Sequence, residues 1–181
     1  MYCFPLLNYH KLLPKTGSGS FGEFRNDRIH TGIDLYAEFG TEVRAVLNGE
    51  VVETGVFTSP DMVDYWNKTY FAAIQHNDGK IFKYCEMGEI FISKGELIKS
   101  GHIIGEVGKV INVQMVSQEA PDYIKSLVMT NCCSMLHFEM YSGLPYFPEN
   151  YLGGNIFSKK IPDNLLNPYE FLISILFNKL K

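Results

Sequence analysis

The chain has 181 residues, of which 46% are hydrophobic and 20% are charged, and its formal net charge is −4. This composition can supply a hydrophobic core and excludes a wholly disordered chain. The small negative charge argues against a protein that binds nucleic acid by electrostatics, and no apolar run approaches the ~20 residues of a transmembrane segment.

Residues 1–7 form the first segment in chain order. They carry no basic region and no long apolar stretch, both of which a secretory signal requires. We therefore expect the protein to be cytoplasmic as the sequence stands, and to be exported if a leader has been removed.

From residue 43 to residue 141 the sequence is a series of short apolar segments separated by turns that contain glycine. Asn48-Gly49 and Asn77-Asp78-Gly79 are signals for tight turns between strands. The abundance of Phe, Tyr and Gly also favours strands and turns over a helical bundle. The pattern predicts a mainly β fold with an antiparallel sheet or sandwich. The predicted strands are Val43–Leu47, Glu50–Phe57, Tyr70–His76, Lys80–Glu86, Ile103–Val107 and His137–Tyr141.

Two segments have the pattern of helices. Ser117–Met129 begins with a residue suited to an N-cap and has Pro121 within its first turn. Residues 168–180 follow the N-cap residue Asn167 and carry apolar side chains on one side, which predicts a terminal helix docked on the sheet. Because no composition break marks a linker, we expect residues 1–181 to form a single domain.

The four cysteines are Cys3, Cys85, Cys132 and Cys133. Their spacing contains no CxxC pair, and adjacent cysteines rarely bond to each other because the geometry is strained. We expect reduced thiols, with a redox or ligand role for Cys132 and Cys133 as the alternative.

Two segments place imidazoles beside carboxylates. His30 and Asp34 lie four residues apart, and a backbone bend at Gly32 would bring both side chains to one point. In residues 135–139, strand alternation aims His137 and its neighbours two positions away at one face. Two imidazoles and a carboxylate form a three-ligand zinc set with an open fourth position, as hydrolytic sites require.

Two side chains near this set have predicted supporting roles. Glu139 could accept a hydrogen bond from the imidazole of His137 and orient it, or it could be a surface carboxylate. Arg25 is predicted to form an ion pair near the site. A third residue, His76, ends a strand at a turn, and we expect it to make a structural hydrogen bond there.

The segments around the zinc set follow a definite order along the chain. They are Phe21-Gly-Glu-Phe-Arg25, His30-Thr-Gly-Ile-Asp34, Gly40-Thr-Glu-Val-Arg-Ala45, Ile74-Gln-His76, Phe82-Lys-Tyr84, Ile103-Ile-Gly105-Glu-Val-Gly108 and Leu136-His-Phe-Glu139. In this order they resemble peptidase family M23, the lysostaphin-type zinc metallopeptidases, over a core of roughly residues 21–151. The resemblance implies a duplicated-hybrid-motif β fold with a groove over one zinc ion. It also implies hydrolysis of peptide bonds in peptidoglycan, with His30, Asp34 and His137 as ligands of Zn²⁺.

Two positions depart from the family pattern. The family has a Tyr-x-His motif where this chain has Tyr84-Cys-Glu86, and it has the first His of a His-x-His pair where this chain has Met135. Those histidines act on the attacking water or on the oxyanion, and a thioether does neither. Losing such a group costs about 10²–10⁴-fold in rate. The sequence therefore predicts a zinc-binding protein whose peptidase activity is reduced or lost, with a peptide of peptidoglycan or another peptide as its ligand.

Glu86 offers alternatives to that prediction. As general base it would make the protein an active zinc metalloendopeptidase, which is the role of the Glu in H-E-x-x-H peptidases. It could also be a fourth ligand that makes the zinc structural, or a solvated carboxylate at a strand end. The first alternative requires Glu86 to face the site together with Tyr84, as strand alternation predicts.

An insertion and a second resemblance complete the pattern. Residues 109–134 stand where the family has a short turn, and they include the predicted helix. They could form a lid over the groove, a partner surface or a loop without a role.

The turns at 45–49 and 95–101 also resemble biotin and lipoyl carriers and the glucose-specific phosphocarrier domain. Because no lysine stands at the tip of the first hairpin, this second resemblance supports only the hybrid-motif fold.

Overall fold

The structure is a computed structural model, and it describes residues 2–158 and 160–178. In chain order the elements are β1 (Ile29–His30), β2 (Ile33–Tyr36), β3 (Glu42–Arg44), β4 (Gly49–Thr58), β5 (Thr69–Gln75), β6 (Ile81–Ile90), β7 (Leu97–Ile98), β8 (Ile103–Lys109), α1 (Asp122–Met129), β9 (Ser134–Tyr141), β10 (Tyr151–Leu152), β11 (Asn155–Ile156), β12 (Leu165–Leu166) and α2 (Tyr169–Asn178). The strand pairs are antiparallel, which confirms the predicted mainly β, antiparallel fold.

The large sheet is organised around β9. Its strands follow the order β12-β9-β8-β6-β5-β4-β7, with β2 beside β9 and β3 beside β8. One edge of β9 pairs with β2 and β12, and the other edge pairs with β8 and β6. Strand β9 is thus held on both sides, and its position is fixed by four neighbours.

The two faces of β9 have different surroundings. Leu136, Phe138 and Met140 point into the largest hydrophobic core. His137 and Glu139 lie on the other face and are buried as well, with 1% and 0% of their surfaces exposed. The predicted alternation along this strand is confirmed, and it separates the core from the side of the sheet that carries the polar groups.

A small second sheet lies over that polar side. It has the order β1-β11-β10, and its register places His30 opposite Asn155. The chain runs from β1 through Thr31-Gly32 directly into β2, so the two sheets share this turn. Because only two residues separate the end of β1 from the start of β2, the ends of both sheets lie close together.

Helix α2 packs against the largest core through Leu172 and Ile175. The backbone N–H of Tyr169 donates to the side-chain oxygen of Asn167, so the predicted N-cap is confirmed. Residues 179 and 180 of the predicted helix lie outside the described residues.

Helix α1 belongs to the insertion and is shorter than predicted. The prediction placed its start at Ser117, but the helix begins at Asp122. Pro121 explains the difference, since a proline pushes the residue before it away from helical geometry, and the helix can only begin after it. The insertion also contains a 3-10 turn at Val113–Met115. Neither α1 nor α2, the α-helices of the described residues, is long and apolar enough to cross a membrane.

The insertion helps to build a separate hydrophobic cluster, here called the cap. The cap covers the same side of the sheet as the polar groups of β9, and Cys133 is buried in it while Cys132 is half-buried. Its buried members are Trp66, Val110, Ile111, Ala120, Ile124, Leu127, Cys133 and Met135.

Candidate metal centre

Three side chains converge on one point below the cap. The distance from His30 Nε2 to Asp34 Oδ1 is 3.0 Å, and that from His30 Nε2 to His137 Nδ1 is also 3.0 Å. The third side of the triangle, from His137 Nδ1 to Asp34 Oδ1, measures 2.9 Å. All three residues are buried, and they form a cluster that could hold a metal ion. The sequence analysis named the same three residues, from their spacing together with the resemblance to the family.

Strand pairing explains how distant residues meet. Asp34 of β2 stands directly opposite His137 of β9, so their side chains project from the same face. His30 reaches the same point because the chain bends at Thr31-Gly32. A side chain at position 32 would lie 2.4 Å from the carbonyl oxygen of Phe138, so only glycine permits this close approach.

The imidazole of His137 lies between two glycines. A Cβ at Gly32 would lie 2.9 Å from ring atoms Cε1 and Nε2, and one at Gly154 would lie 2.8 Å from Cε1. The ring also stacks on Phe57 with 5.9 Å between centroids. The ring therefore has little freedom to rotate or shift. The sequence analysis missed Gly154, which lies in the turn between β10 and β11 and is adjacent to the site only in three dimensions.

The hydrogen bonds at the outer ring nitrogens indicate which nitrogen of each histidine faces the centre. His30 Nδ1 lies 2.8 Å from the carbonyl oxygen of Ser20, which can only accept, so the proton is on Nδ1. His137 Nε2 lies 3.0 Å from Glu139 Oε1 and donates to it. The nitrogens that face each other, Nε2 of His30 and Nδ1 of His137, are therefore the ones that would offer lone pairs to a bound metal ion.

This donor set fits zinc. Two imidazole nitrogens and a carboxylate oxygen lie about 3 Å apart, and each of the three can offer a lone pair to a metal ion. Tetrahedral zinc with bonds of about 2.0 Å places its ligand atoms roughly 3.3 Å from one another. A small outward adjustment would accommodate the ion.

Arg25 holds the second oxygen of Asp34. Its Nη2 donates to Asp34 Oδ2 at 3.2 Å, and its Nε donates to Glu23 Oε2 at 2.9 Å. Burial opposes the charge of Asp34, but His30 and the hydrogen bonds from both imidazoles outweigh it and hold the pKa of Asp34 well below its usual range. The predicted ion pair of Arg25 is confirmed. The guanidinium also stacks on the ring of Tyr123 at 4.6 Å, which joins the metal centre to the insertion.

Glu139 is fully buried beside His137. Burial favours its neutral form, but Lys83 and the hydrogen bond from His137 outweigh burial and lower the pKa of Glu139. Burial likewise lowers the pKa of His137, and the hydrogen bonds to Asp34 and Glu139 outweigh it and raise the value to about 9. Of the two sequence-based interpretations of Glu139, the acceptor that orients His137 is therefore confirmed and the surface carboxylate is wrong.

Lys83 was missed in the sequence analysis. It lies on β6 directly opposite Glu139, and its Nζ is 3.0 Å from Glu139 Oε2. The sequence feature that could have revealed it is a lysine inside the otherwise apolar segment 81–85. A buried strand gives such a charged side chain no path to water, so it needs a buried partner.

Glu86 faces the centre, but Tyr84 does not, which corrects the prediction from strand alternation. The hydroxyl of Tyr84 accepts a hydrogen bond from the backbone of Val46 at 2.8 Å, in the core on the opposite face. The register of β6 against β5 shifts between these positions, so a β-bulge adds one residue to β6. Glu86 occupies the bulge with φ of 64° and is turned toward the metal centre.

The side chain of Glu86 is buried. Its Oε2 has no hydrogen-bond partner in residues 2–158 and 160–178. Burial and the nearby charge of Asp34 raise the pKa of Glu86 to about 8. Met135, the other departure from the family pattern, is buried in the cap beside the same cavity.

The cap closes the centre. The cavity in front of the three ligands has a volume of about 20 Å³, which is room for roughly one water molecule. Its wall includes Ile124, Leu127 and Tyr123 of α1, with Trp66 beside them. A wider groove of about 650 Å³ lies outside, between residues 23–28 and 119–125. The insertion thus lies over the centre, and its role as a lid, one of three alternatives for residues 109–134, stays a prediction.

A family model and a curated relative match the sequence. The model of peptidase family M23 matches residues 28–146. Lysostaphin of Staphylococcus staphylolyticus is 27% identical over 92 residues, which are 51% of this chain and 18% of lysostaphin. This chain therefore spans about a fifth of the length of that curated relative.

Solved structures show the same fold. The antimicrobial peptidase lysostaphin from Staphylococcus simulans is similar with a TM-score of 0.53 at 20% identity, over 88% of this chain and 50% of that one. A structure of a SpoIIIAH and SpoIIQ complex is similar with a TM-score of 0.55 at 17% identity, over 94% of this chain and 99% of that one. At these identities the structural similarity concerns the fold alone.

Proposed function

The chain belongs to peptidase family M23, and we propose that it is a zinc-dependent peptidase in which Glu86 is the general base. The resemblance of its motifs supports a peptide of peptidoglycan as the substrate class. One observation carries the proposal. Glu86 lines the same cavity as the three candidate ligands. Its buried Oε2 has no hydrogen-bond partner among the described residues.

The position of Glu86 favours a functional role over a structural accident. Only 7% of the residue is exposed, so it is not a solvated carboxylate at a strand end. Its φ of 64° is unusual for a residue other than glycine. Buried polar groups without partners and strained backbones both reduce stability, and both concentrate at functional sites.

The residues would divide the chemistry as follows. His30, Asp34 and His137 would hold the zinc, and Arg25 would keep Asp34 in place. Bound zinc would polarise the scissile carbonyl and would favour the ionised form of Glu86. Glu86 would accept the proton of the attacking water and deliver it to the leaving amine. Met135 can donate no proton, so this centre lacks the family's histidine at that position.

A second candidate is the zinc protein with reduced or lost activity that the sequence favours. The closed cavity of about 20 Å³ supports it, since a peptide backbone needs more room than one water molecule. Under this candidate the centre would bind zinc without turnover, and the protein would act as a binding module for a peptide.

The two candidates are separated by an experiment on the zinc-loaded protein. Hydrolysis of peptidoglycan and of a glycine-rich peptide is measured for the wild type, for Glu86→Gln, and for the double variant Glu86→His with Met135→His. Glu86→Gln keeps the size of the side chain but cannot take up a proton. The double variant restores the family's histidines and tests whether the rest of the site is competent.

Two outcomes decide between the candidates, and a third contradicts both. Turnover by the wild type that Glu86→Gln abolishes, with zinc content unchanged, supports Glu86 as the base. A wild type that is inactive beside an active double variant supports lost activity. A wild type that binds no zinc at a stoichiometric level contradicts both candidates.

A further inference from the structure

Lys83 is a buried charge that the proposed chemistry does not use. None of its surface is exposed, and its Nζ lies 3.0 Å from Glu139 Oε2 and 3.0 Å from the hydroxyl of Tyr151. Aromatic rings surround the ammonium group, with the centroids of Phe147 and Tyr151 at 4.2 and 4.3 Å. The lysine therefore extends through an aromatic cage to reach one carboxylate oxygen.

Stability alone does not explain this ion pair. Taking two charges out of water costs several kcal/mol per ion, and a hydrophobic pair of similar volume is often as stable or more so. A methionine at position 83 would have about the same length and would suit the aromatic cage. The presence of Lys83 therefore calls for a second reason.

The geometry of Glu139 supplies that reason, because its two oxygens face different partners. Oε1 accepts from His137 Nε2 at 3.0 Å and from the hydroxyl of Tyr151 at 2.8 Å, and the hydroxyl of Thr31 also donates to it. Oε2 accepts from Lys83 and from the hydroxyl of Tyr141 at 2.9 Å. Lys83 thus anchors the oxygen that points away from the metal centre.

Fixing one oxygen orients the other. With Oε2 held, the carboxylate plane cannot turn about its last bond, and Oε1 remains in line with Nε2 of His137. The ring of His137 is then fixed with Nδ1 directed at His30 and Asp34, which lie 3.0 and 2.9 Å away. The chain of contacts runs from β6 to β9 to the candidate ligands.

We propose that Lys83 is a positioning residue for the metal centre: by anchoring Glu139 it holds His137 in the ligand orientation and so sets the affinity for zinc. This inference rests on the zinc-binding part of the proposed function and is independent of hydrolysis. Residues that orient metal ligands in this way change metal affinity by about 10- to 100-fold when they are replaced.

The test compares zinc affinities by competition with a chelator. Lys83→Met removes the anchor and retains the length of the side chain, and we expect zinc binding about 10- to 100-fold weaker than in the wild type. The visible spectrum of the cobalt-substituted protein should change too, because it reports the orientation of the ligands. Tyr84→Phe is the matched control, since Tyr84 is a buried neighbour on β6 that faces the opposite core. It should lower stability and leave zinc affinity unchanged.

A double-mutant cycle tests whether Lys83 acts through Glu139. Glu139→Gln retains an acceptor for His137 and removes the ion pair. If the pathway is correct, the variant with both Lys83→Met and Glu139→Gln binds zinc as Glu139→Gln does, without further loss. This double variant leaves no unpaired buried charge, so it also serves as the test if Lys83→Met alone does not fold.

The outcomes are distinct. Unchanged zinc affinity and an unchanged cobalt spectrum in folded Lys83→Met overturn the inference and leave the proposed function standing. Losses that multiply in the double variant also overturn it, because Lys83 would then act independently of Glu139. A wild type without zinc affinity overturns both the inference and the proposed function.

Discussion

The substitution Gly32→Ala tests how the metal centre depends on the turn between β1 and β2. The added Cβ would lie 2.4 Å from the backbone oxygen of Phe138 and 2.9 Å from two ring atoms of His137. Ordinary contacts of a Cβ begin near 3.4 Å. Because the oxygen is part of β9 and cannot rotate away, the turn must move by roughly 1 Å. That movement is about a third of the distance between the candidate ligand atoms.

Two effects follow from this displacement. Overpacking costs about 1–3 kcal/mol, and we expect about 3 kcal/mol at this rigid contact. At about 2–4 °C for each kcal/mol in a chain of this size, the melting temperature without zinc should fall by roughly 6–12 °C. His30 and Asp34 should also separate from His137, so zinc affinity should fall by about 10-fold or more.

Thermal unfolding with and without added zinc measures both effects. The stabilisation by zinc depends on the ratio of its concentration to the dissociation constant, so the zinc-induced rise in melting temperature should shrink in Gly32→Ala. Gly143→Ala is the control, because its Cβ would meet no atom closer than 4.0 Å. If Gly32→Ala matched Gly143→Ala in melting temperature and in zinc response, the close approach at the turn would not shape the metal centre.

Two further predictions concern the cap and a buried histidine. Ile124→Ala removes a buried side chain from the wall of the metal cavity. We expect the free energy of unfolding to fall by about 2–5 kcal/mol and a chelator to remove zinc faster. Ile98→Ala in the main core is the control, which should lower stability without faster removal of zinc. Equal rates of zinc removal in the two variants would contradict the cap as the barrier. Burial lowers the pKa of His76 below 6.5, so the folded state binds fewer protons than the unfolded state, and the free energy of unfolding should decrease as the pH falls through about 6.5. His76→Asn, whose amide can still donate to the carbonyl of Asn48, should reduce this decrease, and an identical pH dependence from about pH 7 to pH 5 would show that another group is responsible.

Two parts of the candidate ligand set were predictable because each depends on nearby residues, whereas their meeting depends on the pairing of β2 with β9. His30 and Asp34 are separated by one turn, and the alternation of β9 alone decides which face His137 occupies. The hydrogen bond of His76 is confirmed, although its acceptor, Asn48, lies 28 residues away along the chain. The N-cap Asn167 is local, and it is confirmed as well. Such features depend on a few consecutive residues, so the sequence carries enough information for them.

Features that depend on distant pairing were not predictable in the same way. The bulge at Glu86 arises from the register of β6 against β5, and a pattern with a period of two residues cannot show an extra residue. The ion pair of Lys83 with Glu139 joins strands that are far apart along the chain. Gly154 reaches His137 from a hairpin whose position is set by pairing with β1.

Both candidate functions require zinc binding, and they differ in whether the protein hydrolyses a peptide. The candidate ligands stand on β1, β2 and β9, and their positions are fixed by sheet pairing and by Glu139. Arg25 makes one of the contacts between helix α1 and this assembly, since its guanidinium bonds to Asp34 on one side and stacks on Tyr123 on the other. Displacing α1 would break the stacking contact but would leave the ion pair intact. We therefore expect zinc binding to persist whether the cap is closed or open. Glu86, Met135 and access to the cavity would then decide between turnover and binding.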